Sequence, residues 1–307
     1  MGFRLQGSRD EPLPRVDALL RGTFLSSTAY SSVRGPVPPR GGSRSMKLKL
    51  LCILAVILGA VSAPAEEWKR DFSVGPHPQL RVQTDDAHLE VRGAAGNTIS
   101  ARVVADGWRI GPGELSVTAQ QTGDAISLQV KTPERHIHFN FGNRSIRIEI
   151  SVPQGTALDL SSSDGSVQVS GVKGEARLVT ADGSIHVDNF DGTLHGHTAD
   201  GSIQATGRFD LLDLSSSDGG ITADLWKGSH MNGDWTMRAS AGSITLRVPD
   251  DFSAFLDAWT SDGHIDLQLP VEISGRVEEK RIRGKLRGGG PTLQIHTSDG
   301  SITLRAL

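Results

Sequence analysis

Four aspartates recur at a fixed interval and are the residues of this chain to which chemistry is most easily assigned. Asp164, Asp182, Asp200 and Asp218 each begin an Asp-Gly pair, and each follows the last by 18 residues. Stacked carboxylates could bind Ca²⁺ together with backbone carbonyl oxygens. Alternatively, Asp accepts hydrogen bonds within its own turn while Gly adopts a positive φ. One carboxylate per unit differs from calcium-binding nonapeptide repeats, so we expect turns and no metal site.

The Asp-Gly pair belongs to a longer repeated unit. Weaker copies begin at residues 241, 262 and 299, and an earlier copy, Asp-Ala-His-Leu, begins at residue 86. A fixed period of this kind indicates a repeat architecture. The residues predicted to form structural turns are Asp164, Gly165, Asp182, Gly183, Asp200, Gly201, Asp218, Gly219, Asp262, Gly263, Asp299 and Gly300.

Apolar residues alternate on both sides of each pair. In the unit of Asp182 they are Ala176 and Leu178 before the pair, and Ile185 and Val187 after it. Alternation with a period of two predicts two strands per unit, each with one buried face. Equivalent residues of all units then form columns.

Two all-β architectures fit this pattern. A meander would use the Asp-Gly pairs as hairpin turns, whereas a solenoid would stack the units with parallel strands around one core. The constant 18-residue spacing favours the solenoid, because stacked coils must have equal lengths. We therefore predict a single-stranded parallel β-helix, or β-solenoid, with 18-residue rungs, a rung being one coil. We also expect the Ser/Thr column just before each turn to hydrogen-bond along the stack.

Two stretches depart from the repeat. Residues 98–152 alternate with uneven turns, which predicts wider N-terminal rungs or a small antiparallel sheet. Residues 271–290 interrupt the repeat, and there we expect a hairpin or a long coil before the last rung closes the stack.

Other candidate chemistry is sparse. His195 and His197 share one outward face, as do His136 and His138, but neither pair has an evident third metal ligand. We interpret them as solvated surface histidines. The outward neighbours of the repeat offer no acid/base pair, and the basic run from Arg276 to Arg287 is interpreted as a solvated hairpin face.

The N-terminus predicts export. Residues 1–45 lack apolar periodicity and form an extension, and Met46 is a candidate true start. Residues 46–65 have a charged start, an apolar stretch of 12 residues from Leu50 to Val61, and an Ala-x-Ala site before Glu66, which is typical of a cleaved signal peptide. A signal anchor is the alternative. Cleavage would remove Cys52, the only cysteine, and leave no membrane span.

Charge excludes one class of partner. Residues 1–65 hold nine Lys/Arg and three Asp/Glu of the 32 and 35 in the chain, so residues 66–307 carry a net charge of −9. A mildly acidic domain, in which Glu278 and Glu279 dilute the basic run, is not expected to bind nucleic acid.

These motifs carry a resemblance to a family. The repeated Ser/Thr-x-Asp-Gly-Ser-Ile units and the segment from Gly284 to Ile302, GKLRGGGPTLQIHTSDGSI, resemble the bacterial adhesin-like β-strand-repeat family, a domain of unknown function related to auto-transporter adhesin domains. The resemblance spans residues 68–307 and is firmest over 146–307. It implies a secreted or envelope β-helix with right-handed coiling, no established activity and no catalytic residues.

We therefore expect one β-solenoid domain, 66–307, with an irregular part at 66–152 and the repeats at 153–307. The expected function is that of a non-enzymatic structural or adhesin-like module, exported to the periplasm, outer envelope or exterior. It would need no cofactor and would bind a protein or glycan through a flat face or through the loops at 227–234 and 271–290. The alternatives are a carbohydrate-active β-helix enzyme and an envelope-stress or signalling accessory.

Overall fold

Strands make up the regular secondary structure of this domain. A computed structural model describes residues 65–133, 144–273 and 278–307, and within these stretches there is no α-helix. The N-terminal half contains β1 (Glu66–Ser73), β2 (Gln79–Thr84), β3 (His88–Ala94), β4 (Thr98–Asp106), β5 (Ser116–Thr122), β6 (Ala125–Lys131), β7 (Ser145–Pro153), β8 (Ala157–Ser162), β9 (Val167–Ser170) and β10 (Lys173–Thr180). The rest contains β11 (Ile185–Thr198), β12 (Ile203–Ser216), β13 (Ile221–Leu225), β14 (Trp235–Ala239), β15 (Ile244–Val248), β16 (Ala254–Thr260), β17 (Ile265–Gln268), β18 (Val271–Ile273), β19 (Arg281–Leu286), β20 (Thr292–Thr297) and β21 (Ile302–Ala306).

The strands form two layers, which β11 and β12 join because each is long enough to run through both. Layer A contains the strands before each turn, in the order β5, β6, β2, β8, β10, β11, β12, β14, β20, β16, β19, β18. Layer B contains the strands after each turn, in the order β1, β4, β7, β3, β9, β11, β12, β13, β15, β21, β17.

Parallel pairs follow the spacing of the repeat through the middle of the domain. Leu178 pairs with Gly196, and Ile185 pairs with Ile203. Each partner lies 18 residues further along the chain, so identical positions of successive units stand side by side.

The core lies between the layers and is built from the predicted apolar columns. Leu178, Ile203 and Leu246 are fully buried, as are the equivalent residues of almost all other units. Ile265 and Leu267 on β17 are only half-buried. β17 is the outermost strand of layer B, and in the described part of the chain no further strand covers it.

The sheet is mixed, which corrects the prediction of a purely parallel helix. At the N-terminal end β1 pairs antiparallel with β4, β4 with β7, and β5 with β6. These strands extend both layers beyond β2 and β3, so residues 98–152 add a parallel rung from β6 and β7 as well as antiparallel edges. At the other end β19 pairs antiparallel with β16 and β18. A repeat that stacks only on itself would leave unpaired strand edges at both ends. Here antiparallel strands pair with the edges of the parallel rungs.

The last rung does not close the stack, contrary to expectation. β20 lies between β14 and β16, and β21 lies between β15 and β17. The final rung in sequence is therefore the penultimate rung in space. The interruption before it contains the β18–β19 hairpin, which was one of the two forms expected there.

Candidate functional site

The predicted turn glycines form a continuous ladder along one side of the stack. Gly165, Gly183, Gly201 and Gly219 do not have a positive φ, so the expected conformational reason for Gly is wrong. The reason is contact between rungs. A Cβ on Gly201 would lie 2.0 Å from the carbonyl oxygen of Gly183, and a Cβ on Gly219 would lie 2.0 Å from that of Gly201. Any side chain would force the rungs apart.

The Ser/Thr column beside these glycines is buried and bonds to the backbone. The Thr198 hydroxyl donates to the carbonyl of Gly183 at 2.9 Å and accepts from the amide of Gly201 at 3.2 Å. Ser216 does the same with Gly201 and Gly219, at 3.0 Å each. The hydroxyls do hydrogen-bond along the stack, but to backbone groups and not to one another: each closes its own turn and ties that turn to the preceding rung.

The four aspartates lie in the turns between strands and point to solvent. Asp164, Asp182, Asp200 and Asp218 are exposed, and their carboxylates make no hydrogen bond or ion pair with any described residue. The own-turn contact expected of Asp is made by Ser/Thr two residues earlier instead. Within the three described stretches no group of three His, Cys, Asp or Glu side chains could hold a metal ion.

His195 and His197 on β11 face outward from layer A. His195 Nδ1 lies 3.6 Å from the carboxylate of Asp213, and His197 Nδ1 lies 2.7 Å from the hydroxyl of Ser215. Both contacts join neighbouring rungs, and neither brings a third ligand. The pair His136 and His138 lies outside the described residues.

Several charged residues on the outer surface of layer A pair with one another. Asp257 on β16 accepts hydrogen bonds from Arg281 at 2.9 and 3.0 Å and from Arg283 at 3.2 Å, both on β19. Burial raises the pKa of Asp257, but the hydrogen bonds from the two arginines outweigh it and hold that pKa below its ordinary value. Much of the predicted basic run is thus occupied by an ion pair; its first residue, Arg276, lies outside the described residues.

An aromatic residue beside this ion pair has both ring faces covered. Trp259 stacks on His296 with ring centroids 4.4 Å apart, and the guanidinium of Arg281 lies 5.2 Å from the Trp259 centroid. A ring sandwiched in this way offers no free face for stacking a sugar. Sequence reasoning missed this group because its members are far apart in the chain and only β16, β19 and β20 bring them together.

A strip of the outer surface of layer B is uncharged over six neighbouring rungs, whereas the next outward position of the same strands carries Asp188, Asp224, Arg247 and Arg305. Except at Gly220, the side chains of this strip carry hydroxyl, amide or imidazole groups, from Ser166 at one end to Thr303 at the other. Neighbouring members stack, as Thr222 does on Thr245 across β13 and β15. The set, called here the layer B ladder, is Ser166, Gln168, Ser184, His186, Ser202, Gln204, Gly220, Thr222, Ser243, Thr245, Ser301 and Thr303.

The layer B ladder is long. With strands about 4.8 Å apart, six rungs span roughly 24 Å. Its members are exposed or half-buried, so their polar groups are available to a partner. Charged residues flank this surface, with Glu90 before it and Asp266 after it in the same outward column.

The loop at 227–234 joins β13 to β14 and is held by backbone contacts. Ser229 accepts a hydrogen bond from the amide of Phe209 at 3.1 Å, and Trp235 donates to the carbonyl of Asp210 at 3.1 Å. Trp226, just before the loop, is 40% exposed. His230 Nδ1 of this loop lies 3.4 Å from the carboxylate of Asp210 on β12, so the loop adds contact area and one His–Asp contact to the surface.

Comparison with solved structures gives similarity at low identity. A putative cell adhesion protein from Clostridium sporogenes shares 10% identity with a TM-score of 0.38, covering 79% of this chain and 100% of the other. A putative adhesin from Parabacteroides merdae shares 10% with a TM-score of 0.37, covering 78% and 96%. A putative lipid binding protein from Parabacteroides distasonis shares 11% with a TM-score of 0.40, covering 78% and 96%.

None of the curated proteins matches the chain. In the described stretches no helix is long and apolar enough to cross a membrane. A family model does match, over residues 154–305, which include the ladder of turn glycines, and its description is Toastrack DUF4097. The resemblance to the adhesin-like β-strand-repeat family is thereby confirmed: residues 154–305 of this chain match the model of the Toastrack DUF4097 family.

Proposed function

We propose that this protein is a non-enzymatic interaction module that binds its partner through the layer B ladder. The observation that carries the proposal is the uncharged, regular character of the layer B ladder over six rungs. Hydroxyl and amide groups in a regular array can donate and accept hydrogen bonds without the cost of burying a charge.

A neutral glycan fits this surface better than an acidic one. Residues 66–307 carry a net charge of −9, which repels anionic polymers. The hydroxyl groups of a neutral glycan can hydrogen-bond with the hydroxyl and amide groups of the ladder, and water-mediated contacts serve equally on such a surface. A protein partner with an uncharged polar face could offer the same hydrogen-bonding groups to the ladder.

The proposed function also includes export of the protein. We infer that residues 46–65 are a signal peptide and that residues 66–307 act in the periplasm, the outer envelope or outside the cell. We also infer an 18-residue rung and right-handed coiling. The parallel pairs at 18-residue offsets, such as Ile185 with Ile203, support the rung length. Amino-terminal sequencing of the exported protein tests the cleavage site before Glu66, and a crystal structure tests the coil.

Binding is tested with two matched variants. Thr245→Lys places a charge in the layer B ladder, whereas Thr236→Lys places the same charge on the outer surface of layer A. We expect Thr245→Lys to reduce retention on immobilised neutral glycans about tenfold, or about 1.4 kcal/mol, and Thr236→Lys to have no effect. Equal retention of both variants, or retention only on acidic glycans, contradicts the proposed surface.

The absence of enzymatic activity is tested separately. The layer B ladder contains no carboxylate, and hydrolysis of a glycosidic bond ordinarily requires a pair of them. We expect no release of reducing sugars from a broad panel of polysaccharides. Turnover of any member of the panel by the purified protein would favour the carbohydrate-active alternative instead.

A further inference from the structure

The C-terminal rung, Thr292–Ala306, occupies a slot between two rungs that precede it in the chain. Its strand β20 pairs with β14 on one side and β16 on the other, and β21 pairs with β15 and β17. β14/β15 and β16/β17 are consecutive in sequence. The last rung therefore separates two sequence neighbours that would otherwise be adjacent.

The slot bonds the C-terminal rung from both sides. Thr297 donates to the carbonyl of Gly242 at 2.7 Å, and Thr260 donates to the carbonyl of Gly300 at 2.9 Å. In layer B the amide of Ile244 donates to Ser301, at 2.9 Å. These bonds repeat the pattern of Thr198 and its neighbouring rungs. The slot therefore binds the C-terminal rung through the contacts that join any two rungs of the repeat.

Apolar side chains complete the recognition. Leu293, Ile295, Ile302 and Leu304 of the C-terminal rung are fully buried between the layers. Burying a side chain of this size typically contributes about 1.5–3 kcal/mol. All of this burial is non-local, so the rung is held by the slot and not by its own local structure.

One short connection links this rung to the preceding strand. Arg287–Pro291, with the sequence Arg-Gly-Gly-Gly-Pro, joins the end of β19 to the start of β20. β19 and β20 lie on opposite sides of β16, so this connection crosses over the beginning of that strand. A Cβ on Gly290 would lie 3.4 Å from the carbonyl oxygen of Ser253, which places the crossing directly above the chain that enters β16.

We propose that the slot between β14/β15 and β16/β17 also accepts the C-terminal rung of a second copy, so that two chains exchange Thr292–Ala306. All the pairing and burial just described are the same whichever copy supplies the rung; only the path of the connection differs. Exchange of an identical element is a low-cost route to dimers. This inference does not depend on the proposed binding by the layer B ladder.

The exchange is tested by disulfide trapping in the full chain, with Cys52→Ser so that the engineered thiols are the only ones. Thr236 and Gln294 are register partners on β14 and β20 and face outward. One chain carries Thr236→Cys and the other Gln294→Cys. The two are mixed, unfolded, refolded together and oxidised. A matched control uses Val179→Cys and His197→Cys, register partners on β10 and β11 that belong to consecutive rungs.

We expect disulfide-linked dimers from the Thr236/Gln294 mixture to exceed those from the Val179/His197 mixture by roughly tenfold, because the C-terminal rung is the displaced element. A single chain carrying both Thr236→Cys and Gln294→Cys should form the same bond internally, which verifies the register. Equal yields from the two mixtures overturn the proposal.

The connection provides a second test. Deleting Gly288–Gly290 leaves three Cα–Cα links between Leu286 and Thr292, a reach of about 10 Å. That equals the separation of two strands flanking a third, about 10 Å, and leaves no length to pass over Ser253. We expect this variant to be mainly dimeric by light scattering, because shortened hinges favour exchange. Lengthening the connection by three glycines should instead favour monomer, and a dimer fraction unchanged by that insertion overturns the proposal.

Discussion

Gly201 lies so close to Gly183 of the preceding rung that a Cβ on Gly201 would lie 2.0 Å from the Gly183 carbonyl oxygen. Heavy atoms do not approach this closely without a covalent bond. The same relationship recurs along the whole ladder, including Gly300 above Gly242 at 2.2 Å. Glycine therefore recurs in the Asp-Gly repeat because the backbones of neighbouring rungs lie too close together to admit a side chain.

Gly201→Ala tests this relationship. The added methyl must displace the Gly183 backbone, so we expect a loss of about 1–3 kcal/mol in the free energy of unfolding. Gly155→Ala is the matched control, since a Cβ there has no neighbour within 4 Å, and it should change stability by less than about 0.5 kcal/mol. Denaturant melts of both variants give the comparison; similar losses at the two sites would show that the contact is unimportant.

Thr198→Val tests the hydroxyl that ties two rungs together. The substitution keeps the size of a fully buried side chain and leaves the Gly183 carbonyl and the Gly201 amide without their partner. We expect a loss of about 1–3 kcal/mol. Thr193→Val, on the same strand but facing outward without a side-chain hydrogen bond to the described residues, should be close to neutral. Chemical denaturation would contradict this assignment if Thr198→Val were as stable as Thr193→Val.

Asp200→Asn separates the structural role of the turn from calcium binding. The Asp200 carboxylate is exposed and contacts no described partner, so we expect a change in stability within about 0.5 kcal/mol. We also expect calcium chloride to leave the melting temperature of both forms unchanged. A calcium-dependent rise in the native protein that is absent from Asp200→Asn would identify a ligand.

Asp257→Asn tests the ion pair with Arg281 and Arg283 through pH. The pKa of Asp257 is lower in the folded protein than its ordinary value of 3.8, so the charged carboxylate stabilises the fold above that pH. The stabilisation is lost as pH falls through the folded pKa. The half-exposed arginines are screened by solvent, so we expect a difference of up to about 1 kcal/mol at neutral pH.

The pH dependence of that difference is the measurement. Melting temperatures of the native protein and Asp257→Asn should differ by a constant amount above about pH 5 and converge below about pH 4. Arg283→Gln removes one donor from Asp257 and keeps the other, and it should show a smaller difference with the same pH profile. A gap between native protein and Asp257→Asn that does not narrow in acid would exclude the carboxylate as its source.

Much of the core could be read from the period of the sequence. Alternation about each Asp-Gly pair identifies Leu178, Ile203 and Leu246 as buried, because apolar residues at every second position lie on the one face of a strand that packs against the core. The outward direction of His195 and His197 follows from the same register. The glycine and Ser/Thr columns were also located, although the roles of Gly and Asp in the turns were assigned incorrectly.

The incorrect roles share one cause. Positive φ at Gly and hydrogen bonding by Asp are local explanations, drawn from the behaviour of single turns. The contacts that matter here join a turn to the rung before it, as Thr198 joins Gly183. Such contacts depend on how closely the rungs approach, which no single unit of the repeat specifies.

The sequence by itself determined which residues repeat, which of them are buried and where strands alternate with turns, because these follow from residue type and a period of two. Only the tertiary structure decided the order of the rungs. Units beginning at residues 241, 262 and 299 carry nearly the same motif, so each could pair with either neighbour. Contacts between residues far apart in the chain decide the order. The β18–β19 hairpin pairs with the outer edge of β16, and the C-terminal rung lies between β14/β15 and β16/β17. The repeat makes each rung able to pair with any other, and the connections between rungs decide which two lie side by side.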